Sequence, residues 1–312
     1  MLTVGIPTCN RPILLKNCLE SLLSSGLEPS QVIIGDDFPN PETESVISDF
    51  KKILPILHIK NTSGIKSPVI NYYSIIKHAS GDWLCIIHDD DFFVGSSVKI
   101  KTIFPYNDFI FTDHWVASSN GDLLKEQTEK YTKLYGRDKL IEGVQTDPLS
   151  LFLGKSICWD GFFVKTEIAK SIPYDIKHKF TAGELLLLAR IIQRCKSAYY
   201  SKDRIFAYRL TGDSITSRGW DNSEIYESYC ELEVKEDKHI VLLESLKKEV
   251  LPRAVSDYLR RGEYLLARRL FFSKNYPFPK TINMYLRMTL QFILFILPFK
   301  IVRIFVLRLK KI

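Results

Sequence analysis

Trp83-Leu84-Cys85-Ile86-Ile87-His88-Asp89-Asp90-Asp91-Phe92-Phe93 carries an apolar run of strand length straight into three consecutive carboxylates. Like charges in a row repel one another unless a cation sits among them. The stretch has two readings. It is a buried strand closed by an acidic turn, where Asp tolerates the geometry, or a strand end that holds a divalent metal. The segments around it decide.

Upstream, Leu2 to Ile6 is β-prone and apolar, and Pro7-Thr8-Cys9-Asn10-Arg11-Pro12 breaks it with two prolines and a turn-forming Asn. Leu14, Leu15, Cys18, Leu19, Leu22 and Leu23 recur at helical spacing, and Gly26 stops the run. Gln31 to Ile34 is a second strand ending at Gly35-Asp36-Asp37, Ser45 to Ile53 a second helix, and Ile56 to Ile59 a third strand. Pro68 to His78 is a third helix, and Trp83 to Ile87 is the fourth strand. This alternation predicts βαβ units, hence a mostly parallel sheet with helices on both faces. Ligands of such sheets bind beyond the carboxyl ends of the strands. Each strand here ends in polar residues: Thr8 and Asn10, Asp36 and Asp37, Asn61 and Lys66, then Asp89 to Asp91. Ends of that kind in register favour a site over an acidic turn.

Val4-Gly5-Ile6-Pro7-Thr8-Cys9-Asn10-Arg11-Pro12, Gly35-Asp36-Asp37, Asn61 to Gly64, Asn71, and Ala79-Ser80-Gly81-Asp82-Trp83 leading into His88-Asp89-Asp90-Asp91 resemble, in order and spacing, the family 2 glycosyltransferases. The resemblance spans roughly residues 2 to 220. It implies an inverting enzyme with the GT-A fold, an α/β nucleotide-sugar-binding sandwich, of the bacterial cell-surface polysaccharide type. By the same resemblance Pro7, Thr8, Asn10, Arg11, Asp37, Lys66, Asn71, Asp89 and Arg209 serve the nucleotide sugar. Asp37 would read a uracil or thymine ring, and Asp89 would touch the ribose. Asp90 would hold Mg2+ or Mn2+, with Asp91 a second ligand or its orienter. Lys66 either neutralises a phosphate or is a solvated lysine. A cation bridging a diphosphate needs only one or two carboxylates, because phosphate oxygens and waters complete its shell. His88 stands where the family commonly has an Asp, and reads as a packed or hydrogen-bonded histidine rather than a ligand.

Farther along, Ile103 to Phe111 and Val116 to Asn120 read as strands, and the polar run Gly121 to Arg137 as an excursion with little core. Ser156-Ile157-Cys158-Trp159-Asp160-Gly161-Phe162-Phe163-Val164 resembles the family's acceptor-side strand. Trp159 would stack on a sugar ring or pack in the core, and Asp160 would accept sugar hydroxyls. Glu184, six residues before Arg190, stands at the family's catalytic carboxylate, with Gly183 where an acid is usual. Transfer with inversion needs one carboxylate to take the acceptor's proton, and a helix start at Glu184 would keep it ionised. Arg209 would clamp phosphate oxygens, although Thr211 replaces the His of the family's corresponding segment.

The 312 residues are 46% hydrophobic and 12% aromatic, without a Gly/Ser- or Pro-rich linker or an internal repeat, so the chain is globular. Of the +7 net charge, residues 281–312 hold Arg287, Lys300, Arg303, Arg308, Lys310 and Lys311 and no acid. The nearly neutral remainder argues against a nucleic-acid partner. Six scattered cysteines without metal spacing read as reduced thiols. With no basic n-region or cleavage site at the N-terminus, the expectation is a cytoplasmic protein.

From Ser223 the alternation gives way to helices, at Leu242 to Val250, Ala254 to Arg261 and Glu263 to Phe272, the last two joined tightly at Gly262. Met288 to Phe299 is apolar but falls short of the about 20 residues a spanning helix needs. Two short helices lying in the membrane interface, with Lys and Arg toward anionic headgroups, fit better than an inserted segment or a core helix. The expected organisation is a GT-A domain at 1–220, a helical appendage at 221–280 and membrane-associating helices at 281–312. The expected activity is transfer of a sugar from a nucleotide diphosphate donor to a lipid-linked or surface-polysaccharide acceptor at the inner face of the membrane. A nucleotidyltransferase and a non-catalytic adaptor of the same fold are the rivals. The first usually has a glycine-rich loop after strand one, which Pro7 to Arg11 lacks.

Overall fold

The strand that opens the chain is buried along its whole length. In chain order the computed structural model runs β1 (Leu2–Thr8), α1 (Pro12–Ser24), β2 (Gln31–Asp36), α2 (Pro41–Phe50), β3 (Ile56–Lys60), α3 (Pro68–His78), β4 (Trp83–Ile86) and β5 (Phe92–Phe93). It continues with α4 (Val98–Lys101), β6 (Phe109–Ala117), α5 (Lys125–Leu134), β7 (Gly143–Gln145), α6 (Pro148–Leu153), β8 (Phe162–Lys165), α7 (Thr166–Lys170), α8 (Phe180–Ile192) and β9 (Ala198–Arg209). Helices α9 (Asn222–Glu231), α10 (Asp237–Arg261), α11 (Tyr264–Phe271) and α12 (Ile282–Ile296) follow. The structure describes residues 1–62, 67–159, 161–178, 180–212 and 221–297. Lys66, Asp160, the stretch Asp213 to Thr216 and the basic tail after Leu297 lie outside them. Two compact units divide the chain, Met1–Arg218 and Gly219–Ile312.

In the first unit β1 is flanked by β2 and β4, and β2 by β3, all in parallel. Thr8 pairs with Asp36 and Asp36 with Lys60, so the strand ends are level. Past β4 the sheet becomes mixed: β8 is antiparallel to both β4 and β6, while β6 runs parallel to β9. Val4, Ile6, Leu15, Leu19, Val32 and Ile34 form part of the main core. Burying each such side chain is worth about 1.5–3 kcal/mol. On the other side of the sheet α3 comes very close. A Cβ on Gly5 would sit 2.3 Å from Ile75 Cγ2, and one on Gly35 would sit 2.8 Å from Asn71 Oδ1.

Several expectations change. Helix α2 starts at Pro41 instead of Ser45, because Asn40 caps it by accepting from the Thr43 N–H, a bond worth about 1 kcal/mol. The two strands expected from Ile103 to Asn120 are one, β6, entered from a short 3-10 turn at Phe104–Tyr106. The run Gly121 to Arg137 is no idle excursion: Thr128 and Thr132 of α5 are buried, and so is Arg137. Arg137 donates to the Ser156 carbonyl at 2.8 Å and to Cys158 Sγ at 3.1 Å, and its Nη1 lies 2.7 Å from His114 Nδ1. A buried guanidinium needs such partners, and sequence polarity concealed it.

In the second unit the expected pair of helices around Pro252 is the single helix α10. Leu251, Ala254, Val255 and Tyr258 pack with Phe271 and Phe295, which offsets the one N–H a proline withholds. Gly262, at φ 87°, caps α10 in the left-handed region. One face of α12 carries exposed Ile282, Tyr285, Leu286, Leu290, Ile293 and Ile296. Among the described residues no helix is long and apolar enough to cross a membrane.

Candidate active site

The carboxyl ends of β1 and β2 and the segment that follows β4 bring distant residues together. Thr8, from β1, donates its hydroxyl to Asp89 Oδ2 at 2.7 Å. The Arg11 guanidinium reaches Asp89 Oδ1 at 3.2 Å and Asp90 Oδ2 at 2.8 Å. From β9 the Arg209 backbone N–H donates to Asp91 Oδ1 at 2.9 Å, and the Thr211 hydroxyl lies 3.4 Å from Asp90 Oδ2. All three aspartates are buried. Burial, with Asp90 alongside, pushes the Asp89 carboxyl up to about 6, against the pull of Arg11 and the Thr8 hydroxyl.

Farther out, Asp37 is held at the end of β2. Its N–H donates to the Thr8 carbonyl at 2.9 Å, and its Oδ1 accepts from Asn61 Nδ2 at 2.8 Å. Pro7 is buried in β1. Asn10 takes φ 56°, a left-handed conformation that Asn tolerates, and accepts from Asn40.

The far wall is built by α3 and α8. Tyr72 of α3 is 1% exposed and lies against the Trp159 ring, with centroids 4.5 Å apart. Its hydroxyl donates to Glu184 Oε1 at 2.7 Å and lies 2.8 Å from His88 Nε2. His88 Nδ1 faces Asp91 Oδ2 at 3.8 Å. His88, beside the carboxylate cluster, and Glu184 thus meet at one phenol.

Four of the expected side chains take specific places. Glu184 does not open its helix: α8 begins at Phe180, which puts Glu184 past the first turn, where the helix dipole offers it less. Trp159 is 7% exposed and packs on Tyr72 and Phe162, so its ring belongs to the core rather than to a sugar-stacking surface. Asn71 donates to the Gly35 carbonyl at 2.8 Å and ties α3 to β2. The Arg209 guanidinium donates to the Asp90 carbonyl at 2.8 Å and to the Ser119 carbonyl at 3.2 Å, over the Phe92 ring. It holds the cluster's backbone. Glycine at 183 also has its reason: a Cβ there would lie 2.5 Å from Val69 Cγ2 and 2.7 Å from the His178 carbonyl oxygen. Lys66 and Asp160 lie outside the described residues.

Residues 3–100 match the family described as Glycosyl transferase family 2. An uncharacterised glycosyltransferase of Mycoplasma genitalium is 25% identical over 244 residues, covering 74% of this chain and 76% of that protein. A Campylobacter jejuni enzyme named GalNAc(5)-diNAcBac-PP-undecaprenol beta-1,3-glucosyltransferase is 29% identical over 91 residues, 29% of each chain. Among solved structures, S. aureus TarS 1–349 superposes with a TM-score of 0.62 at 12% identity, over 94% of this chain and 89% of that one. The mannosyltransferase PcManGT of Pyrobaculum calidifontis, solved with GDP-Man and Mn2+, gives 0.55 at 12% identity, over 93% and 83%. The match makes residues 3–100 a family 2 glycosyltransferase domain, on a GT-A fold that the solved structures share.

The glycosyltransferase's own side chains fit a divalent cation. His88, Asp90 and Asp91 each offer one ligand atom, all within 4.8 Å of one another. Hard carboxylate oxygens suit Mg2+ or Mn2+. Sequence reasoning missed Tyr72, whose signal was modest: a tyrosine one helical turn after Pro68, on the helix facing the end of the fourth strand.

Proposed function

We propose that this glycosyltransferase moves one sugar, with inversion, from a nucleoside diphosphate-sugar to a hydroxyl of a lipid-linked or surface-polysaccharide acceptor. Uridine and thymidine donors are favoured. The observation that carries the reading is that Glu184 and His88, the residue that opens the aspartate cluster, both lie within hydrogen-bond distance of the Tyr72 hydroxyl. Single displacement needs a grip on the leaving diphosphate and a separate carboxylate for the acceptor's proton.

In this reading Asp90 and Asp91 hold Mg2+ or Mn2+, which supplies Lewis-acid neutralisation of the leaving diphosphate. Thr8 and Arg11 orient Asp89 toward the ribose, and Asp37 pairs with the imide of the base. Arg11 turns to the diphosphate when its carboxylates are otherwise engaged. Glu184 takes the proton from the acceptor hydroxyl as that oxygen bonds to the anomeric carbon. The bond from that carbon to the phosphate oxygen breaks, and its electron pair leaves with the nucleoside diphosphate.

The acceptor class is supported by the exposed apolar stripe on α12 and by the acid-free basic segment 281–312. Such a surface suits anionic headgroups at the inner face of the membrane, where polyprenyl diphosphate acceptors would be met. The Campylobacter relative's name contains such a lipid.

The test is incubation with UDP-, dTDP- and GDP-sugars and a short prenyl diphosphate saccharide. Acceptor-dependent release of free nucleoside diphosphate supports the proposal. Pyrophosphate release would point to a nucleotidyltransferase, and no turnover with any pair to an adaptor.

A further inference from the structure

His88 and Tyr72 form the part of the site that neither the sequence pattern nor the comparisons assign. A tyrosine hydroxyl has one proton to give. Tyr72 Oη lies 2.7 Å from Glu184 Oε1 and 2.8 Å from His88 Nε2, both within hydrogen-bond range. An ionised carboxylate can only accept, so the phenol proton points to Glu184. With its proton donated to Glu184, Oη can accept from His88 Nε2–H.

A neutral imidazole protonated at Nε2 carries its lone pair on Nδ1. That atom faces Asp91 Oδ2 at 3.8 Å. It belongs to the same group of ligand atoms as Asp90 and Asp91, within 4.8 Å. Two ligands about 2.1 Å from one octahedral ion are at most about 4.2 Å apart, so a small closure suffices.

We infer that His88 Nδ1 is a protein ligand of the divalent cation beside Asp90 and Asp91, and that Tyr72 is the residue that positions it. An outer-shell acceptor that fixes the tautomer and orientation of a ligating histidine is the usual support for such a ligand. Packing reinforces it, because Tyr72 is buried against Trp159. The chain has therefore replaced one oxygen donor of its cluster by nitrogen and linked that donor, through one phenol, to Glu184. The inference deepens the proposed cation site and does not depend on Glu184 being the base.

The experiment uses the full chain and Mn2+ alone. Free Mn2+ is counted by electron paramagnetic resonance, and bound Mn2+ is examined by spin-echo modulation for coupling to 14N. Wild type is expected to show nitrogen coupling from a coordinated imidazole. His88→Ala should lose it and bind Mn2+ about 10- to 100-fold more weakly. Tyr72→Phe, nearly isosteric, should keep its thermal midpoint within a few degrees yet weaken Mn2+ about 10-fold. Glu184→Gln keeps an amide oxygen for the phenol and should bind Mn2+ as wild type does. Wild-type Mn2+ without nitrogen coupling, or His88→Ala binding as tightly as wild type, overturns the ligand assignment. Tyr72→Phe with wild-type affinity overturns the positioning role. Undiminished sugar transfer by Glu184→Gln would remove the base from the proposed function while leaving the nitrogen coupling intact, so the two failures are distinct.

Discussion

Arg11 Nη1 lies 2.8 Å from Asp90 Oδ2 and 3.2 Å from Asp89 Oδ1, so the chain's own guanidinium neutralises the carboxylates that a metal ion would use. Arg11 and a divalent cation compete for Asp90. The ion pair is partly exposed and worth about 1 kcal/mol, or about fivefold. Arg11→Ala should therefore bind Mn2+ alone about fivefold more tightly. It should bind nucleoside diphosphate with Mn2+ at least tenfold more weakly, since a charge-assisted hydrogen bond to phosphate is lost. Calorimetric titration of each ligand checks both signs. Weaker binding of Mn2+ alone would contradict the competition.

The Asp89 carboxyl, raised by burial and by Asp90 from 3.8 to about 6, makes a pH prediction. The folded chain holds that proton more tightly than the unfolded chain does. The resulting stability is fully present below 3.8 and is lost as pH rises through about 6. Asp89→Asn has no such proton. In metal-free buffer, wild type should lose about 2–3 kcal/mol relative to Asp89→Asn between pH 4 and 7.5. Denaturant titrations across that range measure the difference, and Mn2+ should shrink it at the upper end.

Restoring the family's usual acid beside the candidate base should do harm. A Cβ on Gly183 meets Val69 and the His178 backbone carbonyl, and the backbone cannot swing aside. Gly183→Asp should cost about 1–3 kcal/mol by overpacking and, by tilting α8, reduce transfer. An unchanged denaturation midpoint would contradict the packing.

The apolar stripe of α12 should bind lipid. Leu286 and Leu290 are both well exposed. Leu286→Asp with Leu290→Asp should abolish co-sedimentation with vesicles containing anionic lipid while leaving nucleotide affinity unchanged. Wild-type binding should fall with salt. Equal sedimentation of wild type and the double variant would contradict a lipid-facing α12.

The parallel half of the fold was legible because each strand and helix announces itself locally. Pro68 to His78 places its apolar residues at helical spacing, and Trp83 to Ile87 is an apolar run just before the aspartates. The mixed half was not, because antiparallel β8 is set between β4 and β6 by pairing across long sequence separations. Arg137 looked like part of a solvated loop, and only tertiary contacts reveal it as a buried cation. The aspartate cluster could be read from its position at a strand end. Placements set by a side chain's direction could not: Asn71 and Arg209 donate to backbone carbonyls, Trp159 packs tilted against Tyr72, and Glu184 enters from a helix begun a turn earlier. Tyr72 joins residues 16 and 112 positions away, a relation no local pattern carries.

The central claim, a cation-dependent grip on a nucleoside diphosphate at the end of β4, is tested most directly by one binding measurement. UDP, dTDP and GDP are titrated into wild type and Asp90→Ala, with and without Mn2+. The account predicts that wild type binds at least one of them more tightly with Mn2+, UDP or dTDP before GDP, and that Asp90→Ala loses the Mn2+ dependence. Binding by wild type that ignores Mn2+, or Mn2+-dependent binding that survives in Asp90→Ala, would contradict it.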